Sequence, residues 1–462
     1  MNIKVNSRIK PPLDPEFLPA SLWNRAYRSA VASNGRGQGL ALALKRPSGS
    51  VSVFHTEVFP HEGEYAAVNE RYVERLLKFL LWQKGGYQVT VAGDRRIADF
   101  LRTVYSETGA RKFDYDFMGN KVYGRPMTIE SAPYDESLTS RETGSEFGRH
   151  LDGCRIGFDL GGSDRKCSAV IDGDVVFTEE IVWDPYFQSD PEYHFQGIND
   201  TLRRAAEKLP RVDAVGGSAA GVYVDNEVRV ASLFRGVSPD DFEKRVRRIF
   251  FDLQKLWDNV PFVVVNDGEV TALAASMSLE ANGVLGISLG TSQAGGYVTP
   301  QGTITDWLNE LAFAPVDYRP NAPVDEWSGD GGVGAQYFSQ QAVARLLPSA
   351  GIEVADMPFA ERLSTTQALL ADGDDRARKV FESIGVYLGY AIAHYADFYA
   401  LEHVLILGRV TSGQGGDIII DRAAQVLNTE FPELVSSVKL HLPDEKSKRH
   451  GQAVAAASLP SR

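Results

Sequence analysis

The sequence is poor in cysteine: only Cys154 and Cys167 occur among its 462 residues. Two thiols cannot build a disulfide framework or a four-cysteine zinc site, so both are excluded. No apolar run approaches the ~18 residues of a membrane span, and no transmembrane helix is expected. The first ten residues lack the apolar stretch of a secretory signal. We therefore expect a cytoplasmic protein without a membrane partner.

Basic charge is also scarce, and it is unevenly distributed. The chain has a net charge of −13. Residues 1–150 contain 21 Lys and Arg against 17 Asp and Glu, whereas residues 151–462 contain 27 against 44. Because phosphate contacts need clustered basic side chains, the acidic body disfavours nucleic acid as a partner. Only the mildly basic first third leaves that function open.

Hydrophobic residues make up 43% of the chain, and its length favours two or three globular domains. Residues 1–150 are predicted to form an α/β module. Its first 37 residues are rich in Pro, Asn and Arg and are expected to be an irregular lead-in. The rest is predicted to contain a hairpin at Gln38–Phe59, helices at Glu70–Lys84 and Arg95–Tyr105, and a strand at Tyr87–Ala92.

From Cys154 onward, one pattern occurs twice: a glycine-turned hairpin followed by helices and a further strand. The first round is predicted to comprise strands at Arg155–Leu160, Cys167–Ile171, Val175–Val182, Val212–Val215 and Phe262–Val265 with helices at Ile198–Leu209, Asp241–Trp257 and Glu269–Ser278. The second is predicted to comprise a hairpin of Val284–Leu289 and Gln293–Val298, a helix at Arg376–Tyr399 and a strand at Val404–Leu407. The repetition predicts a duplicated fold with a cleft between the halves.

The first candidate motif is residues 158–166, FDLGGSDRK, at the tip of a predicted hairpin. Its paired glycines, Gly161 and Gly162, would let backbone N–H groups approach a phosphate. Asp159, just upstream, could hold hydrated Mg²⁺ beside that phosphate. The alternative is a tight structural turn capped by the aspartate.

The second motif is Asn266-Asp267, which follows an apolar strand and begins a helix. Such a carboxylate faces the crevice of an α/β sheet and can act as a general base. The N–H groups of the following helix are expected to favour its ionised form. The alternative is a helix N-cap.

Two further segments are rich in glycine. Residues 288–296, SLGTSQAGG, offer hydroxyls and N–H groups to a second phosphate, and Gly408 ends a strand where a nucleoside could lie. Structural turns would explain both equally well.

In this order and spacing the four segments resemble the sugar kinase and actin ATPase superfamily, and within it the ROK family of sugar kinases and sugar-responsive repressors. The resemblance extends from Cys154 to the small-residue stretch 451–457 near the end of the chain. It implies a duplicated, ribonuclease H-like two-lobed α/β core with an additional N-terminal α/β module. The implied domains are residues 1–150, residues 151–280 with the returning helix 449–460, and residues 281–448.

The resemblance also implies ATP and Mg²⁺ as cofactors, a sugar or polyol as substrate, and allows a homodimer. Asp267 would be the catalytic base, Asn266 and Glu310 would bind the sugar, and Asp159 would position Mg²⁺ through water. The residues implied to bind ATP or its phosphates are Asp159, Gly161, Gly162, Ser163, Lys166, Gly290, Thr291, Ser292 and Gly408.

The sequence departs from the family between residues 307 and 339. Phe313 stands where the family has a histidine that serves sugar and zinc, and no cysteine occurs in the segment. Ala335 and Leu233 replace a sugar-binding glutamate and asparagine. We therefore expect no structural zinc, and a loop held instead by packing of Trp327, Tyr337 and Phe338.

Three functions remain open: a sugar kinase, a non-catalytic sugar-sensing regulator, and a pseudokinase whose N-terminal module binds a partner protein. Residues 1–150 show no helix-turn-helix with a basic recognition helix, which disfavours the regulator. We expect this module to be a lid or interaction domain packed against the core.

Overall fold

The computed structural model describes residues 1–142, 147–354, 356–443 and 447–461. Its N-terminal part is built on a four-stranded sheet of order β2-β1-β3-β4. The central strand β1 is buried along most of its length, as its alternating Leu and Ala residues require. The elements are α1 (Ala20–Asn34), β1 (Gln38–Lys45), β2 (Val51–Val58), α2 (Tyr65–Lys84), β3 (Gln88–Ala92), α3 (Arg95–Val104), α4 (Lys112–Asp116), a π-helical turn at Phe117–Tyr123, and β4 (Thr128–Ala132).

The expected irregular lead-in is wrong over α1, which is a helix of 15 residues. Trp23, Tyr27 and Val31 are spaced four apart, so they share one helix face, and all three are buried. Gly35 ends the helix in the left-handed conformation, at φ 70°. The polar residues between the buried ones concealed this pattern.

A five-stranded sheet of order β11-β8-β5-β6-β7 follows. Strands β5, β8 and β11 are parallel, whereas β6 and β7 are antiparallel additions. The elements are β5 (Cys154–Leu160), β6 (Asp164–Ile171), β7 (Asp174–Val182), α5 (Pro191–Ala206), β8 (Ala214–Ala219), β9 (Val222–Val224), β10 (Glu227–Val230), α6 (Pro239–Asp241), α7 (Ile249–Leu256), β11 (Phe262–Asn266) and α8 (Asp267–Ser278).

The predicted helix Asp241–Trp257 is not continuous, which corrects the expectation. It consists of α6, a π-helical turn at Phe242–Val246 and α7. The Arg247 carbonyl accepts a hydrogen bond from the Val228 N–H, 3.0 Å away. Because this carbonyl bonds to β10, the helix is interrupted here.

The last sheet has the order β13-β12-β14-β15. The hairpin predicted at β12 and β13 is confirmed at both ends. The elements are β12 (Val284–Leu289), β13 (Gln293–Val298), α9 (Gln340–Leu346), α10 (Phe359–Ala371), α11 (Asp375–Tyr395), β14 (His403–Leu407), α12 (Gln414–Glu430), β15 (Lys439–His441) and α13 (Ser447–Ala457).

Helix α13 packs directly on β5 and β8 because both partners are small. A Cβ on Gly157 would clash with the Ala453 carbonyl, and one on Gly216 would clash with the Ala456 carbonyl. The alanine-rich end of the chain therefore lies flush against the sheet, with Ala455 and Ala456 fully buried.

The chain divides into two compact units. Unit 1 comprises Met1–Thr143, Ile287–Gly295 and Trp307–Leu442; unit 2 comprises Gly144–Gly286, Gly296–Asp306 and Pro443–Arg462. Residues 1–143 thus share a unit with α9 to α12, while the three-segment division stays a prediction. None of the helices in the described ranges is long and apolar enough to cross a membrane.

Candidate active site

Three neighbouring parallel strands of unit 2 bring polar side chains to one edge of their sheet. Asp159 near the end of β5 pairs with Ser218 on β8, and Ser218 pairs with Val265 on β11. Asn266 and Asp267 follow directly. Since the carboxyl ends of parallel strands form the ligand-binding edge of such sheets, these residues define the candidate site.

Burial raises the pKa of Asp159, and neither the Ser218 hydroxyl nor the Lys166 ammonium fully offsets it. Lys166 lies opposite Asp159 on β6, and its ammonium is 3.3 Å from the Asp164 carboxylate. Although burial alone would lower the pKa of Lys166, Asp164 and Asp159 raise it. A further cation would therefore stabilise the ionised Asp159 carboxylate, and the Lys166 ammonium stays charged at neutral pH.

Asp267 carries the strongest perturbation at this edge. Burial, followed by the neighbouring Asp159 carboxylate, raises its pKa to about 6, although the Gly268 N–H acts in the opposite direction. The helix N–H group favours the ionised form, as expected, but desolvation and the like charge of Asp159 outweigh it. With this pKa the carboxyl is still ionised in roughly nine of ten molecules at pH 7.

Asn266 is the N-cap of α8. Its side-chain oxygen accepts the Gly268 N–H at 2.7 Å, and its amide donates to the Gly221 carbonyl at 2.6 Å. Both ends of the side chain thus stabilise the fold, which matches the capping alternative. Its sugar-binding role stays a prediction.

The turn Gly161–Ser163 is held rigidly. The Gly161 N–H donates to the Asp164 carbonyl at 2.9 Å, and the Trp183 indole and backbone N–H groups bond the Gly161 and Ser163 carbonyls at 2.8 and 3.1 Å. A Cβ on Gly162 would clash with the Tyr186 hydroxyl. A side chain at this position would therefore have to displace the Tyr186 ring, so packing alone favours glycine here, whether or not a phosphate binds.

The second glycine group lies in unit 1. Gly290 closes its turn by donating to the Ser292 carbonyl at 3.0 Å, and the hydroxyl residues Thr291 and Ser292 are exposed. Gly408 has φ 105°, and a Cβ there would clash with the Leu289 backbone. The structure thus brings the Gly290 turn and Gly408 together at the ends of β12 and β14.

The segment around Glu310 is fixed by helix α2. The Asn309 and Glu310 N–H groups each donate at 2.9 Å to the last residues of α2, Gln83 and Trp82. Phe313 is buried, with its ring 4.5 Å from that of Trp82. At the position where the ROK family has a histidine, Phe313 therefore makes an apolar contact with helix α2.

Packing of the loop that follows is as expected for two of three aromatic residues. Tyr337 and Phe338 are fully buried. Trp327 remains 56% exposed, although its ring contacts those of Phe313 and Phe113 at 5.1 and 5.5 Å.

Sequence reasoning missed a buried charge cluster in the same loop. Asp330 pairs with Arg75, Lys78 and Arg111 at 3.1, 3.3 and 2.5 Å, and Lys78 also contacts Asp114 at 2.6 Å. The sequence did contain a signal for this cluster, because charged residues interrupt the largely apolar helix α2. Within the described ranges, no group of three or more His, Cys, Asp and Glu residues is arranged to hold a metal ion.

Comparison with known proteins places the fold. No family model and no curated protein matches the sequence. The solved structures that share its fold include two ROK proteins. The ROK hexokinase from Thermus thermophilus is 16% identical, with a TM-score of 0.51 over 66% of this chain and 96% of that one. A ROK family transcriptional regulator, described as a homolog of the E. coli MLC protein, is 19% identical, with a TM-score of 0.52 over 67% of this chain and 79% of that one.

Proposed function

We propose that this chain, which has the fold of ROK proteins, transfers a phosphoryl group from ATP to a hydroxyl of a sugar or sugar-like substrate. The observation that carries the proposal is the pair of partly buried carboxyl groups, Asp159 and Asp267, at the carboxyl edge of β5 and β11. A general base must be ionised at the working pH and must still bind a proton well. A pKa of about 6 at Asp267 meets both requirements.

In this mechanism Asp267 accepts the proton of the acceptor hydroxyl, and the Gly268 N–H, 3.0 Å from its Oδ1, orients the carboxylate. Since phosphoryl transfer needs mainly positioning and charge stabilisation, few further residues are required.

The residues present fit Mg²⁺ and ATP. Mg²⁺ prefers oxygen ligands and typically takes one or two carboxylates together with substrate phosphates, and Asp159 supplies such a carboxylate. The pKa of Asp159 is raised because desolvation disfavours its charge, so a nearby cation would stabilise the ionised form. Mg²⁺, when bound, would neutralise charge on the transferred group. Lys166 and the Gly161–Ser163 turn would hold phosphate oxygens, and Thr291 and Ser292 remain predicted phosphate-binding residues.

The acceptor is proposed to be less polar than glucose, or modified. Leu233, Phe313 and Ala335 are all buried and offer no side-chain hydrogen bond. A site that lacks such partners cannot select a substrate by those hydroxyls. Glu310 remains the proposed sugar-binding carboxylate.

The alternative is a non-catalytic sugar sensor or pseudokinase. Two observations favour it. Leu233, Phe313 and Ala335 offer no hydrogen bond to a sugar, and both ends of the Asn266 amide already form hydrogen bonds within the protein. A coupled ADP-release assay over a panel of hexoses, N-acetylated sugars and polyols, with and without Mg²⁺, separates the two. Sugar-dependent, Mg²⁺-dependent ADP release supports the kinase; sugar binding without ADP release supports the sensor.

We place this activity in the cytoplasm. Cys154 and Cys167 are both buried and unpaired, as is usual for thiols of a reducing compartment.

A further inference from the structure

A cavity lies in unit 1, whereas Asp159 and Asp267 belong to unit 2. Its volume is about 410 Å³, and we name it the β2 cavity because β2 forms one wall. A smaller cavity of about 120 Å³ shares Phe54 and Asp397 with it. The residues that line the β2 cavity include Arg28, Phe54, Thr56, Tyr134 and Asp397.

One part of the lining is aromatic and rigid. The Phe54 ring stacks on that of Phe398 with centroids 5.1 Å apart, and Phe398 stacks in turn on Phe79 at 4.1 Å. Phe54 and Phe398 are nevertheless only partly buried, and Tyr134 is 41% exposed. Partly exposed ring faces inside a concave site favour a ligand that has a flat apolar face of its own.

The polar part offers donors and acceptors side by side. The Arg28 guanidinium donates to the Asp397 carboxylate at 2.7 Å, and their side chains are 33% and 20% exposed. Each group has more hydrogen-bonding capacity than this one contact uses. Thr56 adds a hydroxyl, 2.9 Å from that of Tyr72.

The charged side chains that line the two cavities do not favour an anion. Arg28, Glu57 and Asp397 line the β2 cavity, and Lys84 and Asp397 line the smaller one. The β2 cavity thus has one basic and two acidic side chains, and the two cavities together have two of each. An anionic ligand such as a phosphate ester would therefore gain no electrostatic advantage here. A neutral ligand with many hydroxyls does not need one.

A buried acceptor lies in the smaller cavity. Gln83 is fully buried, and its amide donates to the Phe398 carbonyl at 3.0 Å. Its side-chain oxygen has no hydrogen-bond partner among the described residues. Because such an orphaned group is unfavourable, a hydroxyl donor at this position would stabilise the site.

We infer that the β2 cavity binds a neutral carbohydrate of one or two rings, at a site separate from the Asp159–Asp267 pair. The sugar stacks its C–H face on Phe54 and Tyr134 and bonds its hydroxyls to Arg28 and Asp397. An apolar ligand would leave these polar groups unsatisfied, and a phosphorylated one would meet no net positive charge. The cavity volume lies within the usual range for small-molecule sites.

Hydrogen–deuterium exchange of the full chain tests this site directly. The probes are glucose, N-acetylglucosamine and maltose, with inorganic phosphate and AMP as charged comparisons. A neutral sugar should protect residues 51–58 and 397–399, and it should do so equally in Asp267→Asn, because that residue belongs to the other site. Phosphate and AMP should leave these segments unchanged.

Variants then assign the contacts. Phe54→Ala and Arg28→Gln should each weaken sugar binding about tenfold, as expected for losing a ring stack or a charged hydrogen bond. Tyr134→Ala, at an exposed ring, repeats the test if Phe54→Ala impairs folding by circular dichroism. Arg376→Gln removes the exposed pair between Arg376 and Asp374 as the matched control and should have no effect.

Three results would overturn the inference: no sugar of the panel protects residues 51–58 at millimolar concentration, protection survives the cavity variants unchanged, or phosphate or AMP protects better than the sugars. Failure here leaves the proposed kinase activity untouched, because ADP release is measured separately.

Discussion

Replacing Asp267 by asparagine should make the protein more stable while removing its activity. The carboxylate is buried beside Asp159, and both features disfavour its charge. An amide of the same shape carries no charge, and Asn266 still caps the helix by accepting the Gly268 N–H at 2.7 Å. The substitution therefore removes an unfavourable charge and leaves the Asn266 helix cap in place.

The size of this effect follows from the pKa. A carboxyl with a pKa near 3.9 in the unfolded chain and about 6 in the folded one costs roughly 3 kcal/mol at neutral pH. Since the folded pKa is raised, the cost is absent below the unfolded pKa and accumulates as the pH rises through the folded pKa. Asp267→Asn should thus gain stability at pH 7 but not below about pH 4.

Thermal and urea unfolding at these two pH values, followed by circular dichroism, measure the difference. Asp240→Asn is the matched control, because the Asp240 side chain is 73% exposed and its pair with Lys244 lies at the surface. The control should change stability by no more than about 0.5 kcal/mol. Equal or lower stability of Asp267→Asn at neutral pH would mean that the folded protein does not disfavour the ionised Asp267 carboxylate.

Three further outcomes are expected. Asp330→Asn removes the carboxylate that Arg75, Lys78 and Arg111 share, although Lys78 keeps its pair with Asp114 and both arginines keep theirs with Glu74. Urea unfolding should therefore show a loss of about 2–3 kcal/mol, the scale of charged hydrogen bonds; a loss below about 1 kcal/mol would mean that the cluster is not structural. Gly216→Ala places a methyl group against the Ala456 carbonyl, so the melting temperature should fall; an unchanged value would contradict the close packing of α13. The pH–rate profile should rise through about pH 6 as Asp267 ionises, and a rate independent of pH from 5 to 8 would exclude this base.

Local sequence patterns were sufficient to predict an element where its own residues form one clear apolar segment. The hairpin Val284–Leu289 and Gln293–Val298 is found at the predicted residues because the apolar first strand leads directly into a short glycine-containing polar turn. Helix α1 was missed because polar residues separate Trp23, Tyr27 and Val31. The interruption before α7 depends on a carbonyl taken by β10, which no local pattern contains.

The candidate site was predictable in its residues but not in its electrostatics. Asp159 and Asp267 are visible as carboxylates at strand ends, and the parallel order of β5, β8 and β11 brings them to one edge. Their mutual effect and their desolvation depend on Ser218 and the surrounding core, which are distant in sequence. The ion cluster at Asp330 was hidden for the same reason: its partners lie more than two hundred residues away.

The most direct measurement of the central claim is formation of phosphorylated sugar. Wild type and Asp267→Asn would be incubated with ATP, Mg²⁺ and the sugar panel at neutral pH, and the product would be quantified by mass spectrometry. A sugar kinase with Asp267 as its general base forms a phosphorylated sugar in the wild type and forms it at least ~10²-fold more slowly in the variant. No phosphorylated sugar from the wild type would exclude the kinase function, and an equal rate from Asp267→Asn would exclude Asp267 as the base.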